Sequence, residues 1–171
     1  AAAAIIDDDN LALAAETGAH AIECDITDET AVARMASEVA ATGGASALIN
    51  NAGGALGTDS VEHASNDDWR NMFEVNVIGL RSVTAAMLPI LREAIRAGAG
   101  AEGITGVDAG HGWATILNVT STAGHDAYAG GGGYNAAKFA ARAVTEVLRL
   151  ELAGEPIRVI ELAPGLVHTE E

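Results

Sequence analysis

Short apolar runs alternate with stretches of helical spacing along most of this chain, and each apolar run ends in a polar cluster. Residues 2–6, 21–24, 47–49, 114–119 and 157–162 read as strands. Residues 9–16, 30–41, 69–97 and 134–153 read as helices, with Pro89 expected to kink the third. Strand–helix alternation predicts a parallel α/β sheet, with ligands gathered at the carboxyl ends of the strands. The polar clusters fall at those ends: Asp7 and Asp8, Asp25, Asn50-Asn51-Ala52-Gly53, Ser121, and Pro164-Gly165. One such placement is cheap by chance; five converging on one rim are not.

A single lysine, Lys138, stands four residues after Tyr134, in Tyr134-Asn135-Ala136-Ala137-Lys138. On a helix, positions i and i+4 share a face. A cation beside a phenol favours the phenolate and brings a group that titrates near ~10 towards neutrality, where it can transfer protons. Tyr-x-x-x-Lys also occurs by chance in many helices, so the pair alone decides nothing.

The 171 residues suit one domain with a substantial core. Hydrophobic residues make up 49% and aromatic ones only 4%, so that core is built from Ala, Val, Ile and Leu. No apolar run approaches the ~20 residues that span a bilayer, and residues 1–6 lack the basic start of a secretory signal. The one cysteine, Cys24, excludes an intrachain disulfide, which fits a reducing cytoplasm; it reads as a small buried hydrophobe. A formal charge of −15 argues against nucleic acid and anionic membranes as partners. A high-salt proteome and a GC-rich genome would explain the acidic, lysine-poor composition equally well. His20, His63, His111, His125 and His168 show no ligand spacing, and no metal site is expected. Residues 98–112 are rich in Gly and Ala without periodicity and read as a surface insertion.

Taken together, Asn50-Asn51-Ala52-Gly53, Val75-Asn76-Val77, Asn118-Val119-Thr120-Ser121, Tyr134-x-x-x-Lys138 and Pro164-Gly165-x-x-x-Thr169 resemble the short-chain dehydrogenase/reductases. Ser121 precedes Tyr134 by thirteen residues, as in that family. The resemblance implies a three-layer, doubly wound Rossmann-type sheet and interconversion of an alcohol and a carbonyl by hydride transfer. It implies Tyr134 as general acid or base and Lys138 as the cation that lowers its pKa and holds the nicotinamide ribose. It also implies Ser121 as the group that orients the substrate oxygen, and Asn76 as holder of a relay water. Asp25 and Ile26 would meet adenine, and Asn51, Ala52, Gly53, Pro164, Gly165, Val167 and Thr169 would line the cofactor. Each also has a plain reading: Ser121 as a helix cap, Asn76 as a bend, Asn50 and Asn51 as turn formers.

Asp7 or Asp8 would close the strand that meets the adenosine ribose, which favours NAD over NADP; the sequence does not choose between the two. The run could equally be a solvated helix start. Residues 130–134, 148–152 and 163–171 look like a group acting on small hydroxy acids, which often uses NADP. A 3-oxoacyl carrier-protein reductase or broad alcohol dehydrogenase is the alternative, and a non-catalytic cofactor-binding or scaffold relative is the rival from another class. The family's opening strand and Gly-rich phosphate loop are missing, as is the substrate-covering segment after residue 171. The chain therefore reads as a Rossmann-type domain incomplete at both ends. In that topology the missing strand lies inside the sheet. The apolar flanks of residues 77–91 and 134–153 predict a homodimer or homotetramer joined through those two helices.

Overall fold

The computed structural model describes residues 2–4, 14–97 and 112–166. Among these residues there are five parallel strands: β1 (Ala2–Ala4), β2 (Ala21–Glu23), β3 (Ala47–Asn50), β4 (Ala114–Val119) and β5 (Ile157–Leu162). Four α-helices accompany them: α1 (Glu29–Ala41), α2 (Asn66–Phe73), α3 (Leu80–Arg96) and α4 (Gly132–Glu151). A π-helical segment, Glu74–Gly79, joins α2 to α3 without a break. Residues 14–17 are also helical; the rest of the expected helix at 9–16 lies outside the described residues, as do residues 98–111 of the expected insertion.

Local chemistry explains the helix starts. Asp28 accepts from the Thr30 amide at 2.8 Å and Ser65 from the Asp67 amide at 3.1 Å, so each caps free N–H groups. Val32, Met35, Ala36 and Val39 recur at helical spacing and form the buried stripe of α1. The third helix continues through Pro89. By length and composition the 31-residue run Asn66–Arg96 could cross a bilayer, which counting apolar residues in the sequence does not anticipate. Half of its apolar stretch is buried inside the protein, which marks it as a core helix.

The sheet is in two parts, β1–β2 and β3–β4–β5. Ala3 pairs with Ile22 in the first, Leu48 with Ile116 and Ile116 with Val159 in the second. Between the parts lies a cleft of about 680 Å³, with Leu48, Ile49 and Val83 among its apolar walls. The family resemblance assigns this interval to a further strand, and the described residues place none there. One side of the cleft is closed by a core that joins Ile22 and Cys24 to α1 and to Val83 and Met87 of α3. A second core packs Ala114, Ile116 and Ile157 against Leu91 of α3, Leu148 of α4 and Leu152 just after it. A buried Ile or Leu contributes roughly 1.5–3 kcal/mol, so these two cores fix α3 and α4 on one sheet face. The other face carries exposed Ile49, Ile160 and Leu162; the second helical layer of the expected three-layer arrangement is not among the described residues.

A buried polar chain crosses the sheet at the strand ends. Asn50 Nδ2 donates to Thr84 Oγ1 (3.0 Å) and Asn118 Oδ1 (2.8 Å), and Asn118 Nδ2 donates to Thr145 Oγ1 (2.9 Å). Thr84 and Thr145 pass their own hydrogens to Leu80 and Ala141 carbonyls. No buried side-chain polar atom among the described residues lacks a partner, so the chain ties β3, β4, α3 and α4 together without an unpaired group. Asn50 is therefore a sheet-to-helix tie and not a turn former.

Candidate active site

Asn76 lies in the π-helical segment and is 2% exposed. Single π turns inside α-helices re-aim side chains and cluster at functional sites. Asn76 Nδ2 donates to the Met72 carbonyl of its own helix and to the Gly54 carbonyl across the site, both at 2.8 Å. Its Oδ1 accepts from the Gly54 amide at 3.3 Å. Asn76 thus marks a change of helix type, and it also pins the loop that leaves β3.

Gly53 on that loop touches the same spot. A Cβ there would stand 2.6 Å from Asn76 Oδ1 and 3.2 Å from Lys138 Nζ, so any larger residue would have to displace one or both of these side-chain tips. Three expected site residues from three separate elements therefore converge: Gly53 after β3, Asn76 in the π segment, Lys138 on α4. Lys138 is 6% exposed, and no ion pair among the described residues includes it. Burial pulls its pKa below the ordinary lysine value. Its ammonium stands 5.6 Å from the centre of the Tyr134 ring, on the same face of α4 one turn away.

Ser121 follows β4 and is held from two sides. Its Oγ accepts from the Ala123 amide at 3.1 Å, capping a short 3₁₀ turn, Thr122–Gly124. The flanking amides of Thr120 and Thr122 bond to the carbonyls of Leu162 and Pro164 at the end of β5. Pro164-Gly165 thereby lies beside Ser121, as the sequence led one to expect. Glu161 on β5 accepts from Thr120 Oγ1 (2.8 Å) and pairs with His125 Nε2 (3.2 Å).

Asp25, Ile26, Asn51, Ala52 and Gly53 line the same cleft between the two sheet parts. Asp25 accepts from the amide and hydroxyl of Thr27, at 2.9 and 2.7 Å, and these two bonds hold its carboxyl below the usual range. Ile26 packs where Gly79 of the π segment has no side chain. Cys24 is buried, and burial raises its thiol pKa, as suits an inert packing residue. Asp7, Asp8, Val167 and Thr169 lie outside the described residues.

Three residues near the site escaped the sequence reading. Asn135 is 5% exposed and grips the loop that carries Ser121; Glu161 and Thr120 tie that loop to β5. The available signal was a polar residue at a position patterned as buried, which marks Thr84 and Thr145 as well. Among the described residues no group of His, Cys, Asp and Glu could hold a metal ion.

Residues 5–171 match the family described as short chain dehydrogenase. The chain is 41% identical over 123 residues to a sulfoacetaldehyde reductase of Chromohalobacter salexigens, covering 72% of this chain and 42% of that protein. It is 40% identical over 123 residues to an NADP-dependent 3-hydroxy acid dehydrogenase of Schizosaccharomyces pombe, covering 72% and 41%. Among solved structures it superposes on the closed form of a serine dehydrogenase complexed with NADP+, with a TM-score of 0.75 and 31% identity, covering 94% of this chain and 60% of the other. The chain thus spans about two fifths of the length of these two curated relatives. Nearly end-to-end agreement with the family, together with the parallel sheet and the convergence of Gly53, Asn76 and Lys138, places this chain in the short-chain dehydrogenase family.

Proposed function

We propose that the whole protein is a nicotinamide-dependent oxidoreductase that interconverts an alcohol and a carbonyl on a small hydroxy acid. The observation that carries this reading is the meeting of Lys138 and Asn76 at Gly53, with Tyr134 one helical turn from Lys138. The residues present fit the cofactor: Gly53 leaves open the space before a buried ammonium that no carboxylate neutralises among the described residues, and the cleft runs from there to the ionised Asp25. When bound, the nicotinamide supplies or accepts the hydride.

The side chains carry the proton and the orientation. Tyr134 gives its phenolic proton to the carbonyl oxygen in reduction and takes it back in oxidation. Lys138 stabilises the phenolate between these events by its charge. Ser121 donates to the same substrate oxygen and fixes its approach. Asn76 holds the water through which Lys138 regains a proton from solvent.

Three relatives support the substrate class and the cofactor: the sulfoacetaldehyde reductase, the NADP-dependent 3-hydroxy acid dehydrogenase and the serine dehydrogenase bound to NADP+. The last two of these names carry NADP and favour it here. The expectation of NAD rested on Asp7 or Asp8, which lie outside the described residues, so NADP is the preferred reading. Exposed Ile78, Phe139, Val147 and Leu150 support assembly with further copies through α4 and the π segment.

Steady-state turnover of the whole protein on a panel of small hydroxy acids, with each cofactor in turn, tests the proposal. Tyr134→Phe should lower kcat at least ~10²-fold while nicotinamide fluorescence still reports cofactor binding. Turnover within a few-fold of wild type would remove Tyr134 from the mechanism. Cofactor binding with no turnover on any alcohol or carbonyl would favour a non-catalytic relative.

A further inference from the structure

We infer that Asn135 is a positioning residue that sets the distance between the Ser121 hydroxyl and the Tyr134 phenol. The inference rests on the roles proposed for those two groups. Asn135 follows Tyr134 on α4 and is 5% exposed. Its Nδ2 donates to the Ala123 carbonyl at 2.8 Å and to the Asp126 carbonyl at 3.2 Å, and its Oδ1 accepts from the Tyr128 amide at 3.3 Å. One amide side chain thereby uses both of its donor hydrogens and its acceptor on three backbone groups of the same loop.

Ala123 is the joint. Its carbonyl is held by Asn135, and its amide donates to Ser121 Oγ at 3.1 Å. A shift of the Ala123 residue therefore moves the Ser121 hydroxyl. The loop is already fixed upstream, where Thr120 and Thr122 bond to the end of β5. Downstream, Asn135 is its side-chain link to the helix that bears Tyr134 and Lys138. Contact is close on that side: a Cβ on Gly124 would stand 2.8 Å from the Lys138 carbonyl oxygen. The β5 anchor and the Asn135 anchor bracket Ser121, and only the second ties it to Tyr134.

A double-mutant cycle in the whole protein tests this, with kcat, NADP affinity and thermal unfolding read for each variant. Asn135→Ala should lower kcat about tenfold or more and leave NADP affinity within about twofold. In a Ser121→Ala background the same change should cost less than about twofold, because the hydroxyl it positions is gone. Asn135→Asp keeps the shape but turns carboxylate oxygens towards two carbonyls, and should match the alanine variant. Equal losses in both backgrounds would reduce Asn135 to a stability residue and overturn the inference, as would full activity of Asn135→Ala. If Asn135→Ala yields no folded protein, Asn135→Ser, which retains one donor, carries the same cycle with a smaller loss. Turnover of Ser121→Ala within a few-fold of wild type would overturn the underlying reading instead, and the single variant alone reveals that case.

Discussion

Lys138 Nζ stands 5.6 Å from the centre of the Tyr134 ring, buried, with no carboxylate to balance its charge among the described residues. Such a lysine costs stability, and the proposed mechanism is what gives it a use. Burial lowers its pKa, so the folded state disfavours the charged form. The resulting cost is present at neutral pH and fades as pH rises through the folded value towards 10.5, the ordinary one. Lys138→Met should abolish turnover and yet raise the melting temperature at neutral pH by about 2–4 °C, the shift that ~1 kcal/mol gives in a chain of this size. Thermal scans across pH should show that advantage shrinking towards alkaline pH; a less stable variant at neutral pH would refute the account.

The Asn50–Asn118 chain should behave as one unit. Asn118→Ala removes partners from both Asn50 and Thr145. One Asn50 N–H is left unpaired, while Thr145 keeps its bond to the Ala141 carbonyl, so about 1–3 kcal/mol is expected from urea unfolding of the whole protein. Combining it with Asn50→Ala should cost clearly less than the two separate losses added together, since both variants break the same bond.

Arg92 on α3 grips Glu155, just before β5, through two bonds of 2.7 Å. The Arg92 hydrogen bonds hold the Glu155 carboxyl below its ordinary value of 4.5. That contribution is complete above the ordinary value and is lost as pH falls through the depressed one. Both side chains are more than a third exposed, so the effect is small. Glu155→Gln should unfold slightly more easily than wild type at pH 7, and the two should converge in acid.

Val147 is half exposed on α4, beside exposed Leu150 and on a helix that also exposes Phe139. If copies of the whole protein meet there, Val147→Asp should shift light scattering to a smaller species while leaving the monomer folded. An unchanged mass would place the subunit contact elsewhere.

Much of this arrangement is legible in the sequence because strand ends carry little choice. An apolar run fixes a strand, and the polar residue that ends it must lie on the common rim; β4 and β5 occur at the expected residues for that reason. What stayed hidden depends on pairing across the sheet. Thr84 and Thr145 look like ordinary members of apolar helices, and only the fold puts them opposite Asn50 and Asn118. The π turn at Glu74–Gly79 has no pattern of its own in a window that reads as one long helix. Asn135 is hidden by its neighbours: beside Tyr134 and Lys138 it passes for filler, and its three partners belong to a loop without periodicity.

The interruption between β1 and β3 bears on how the protein breathes. Among the described residues no ladder bonds cross it, so β2 and α1 are joined to the remainder chiefly by side-chain packing against α3. Elements held by packing alone open at lower free energy than those sharing a hydrogen-bonded sheet. In this 171-residue chain by itself, amide protons of β2 and α1 should therefore exchange with solvent sooner than those of β4 and α4. Asp25 and Ile26 ride on the labile block, whereas Ser121, Tyr134 and Lys138 belong to the firm one. Within these residues, the groups proposed for proton transfer thus keep their spacing when the other block loosens.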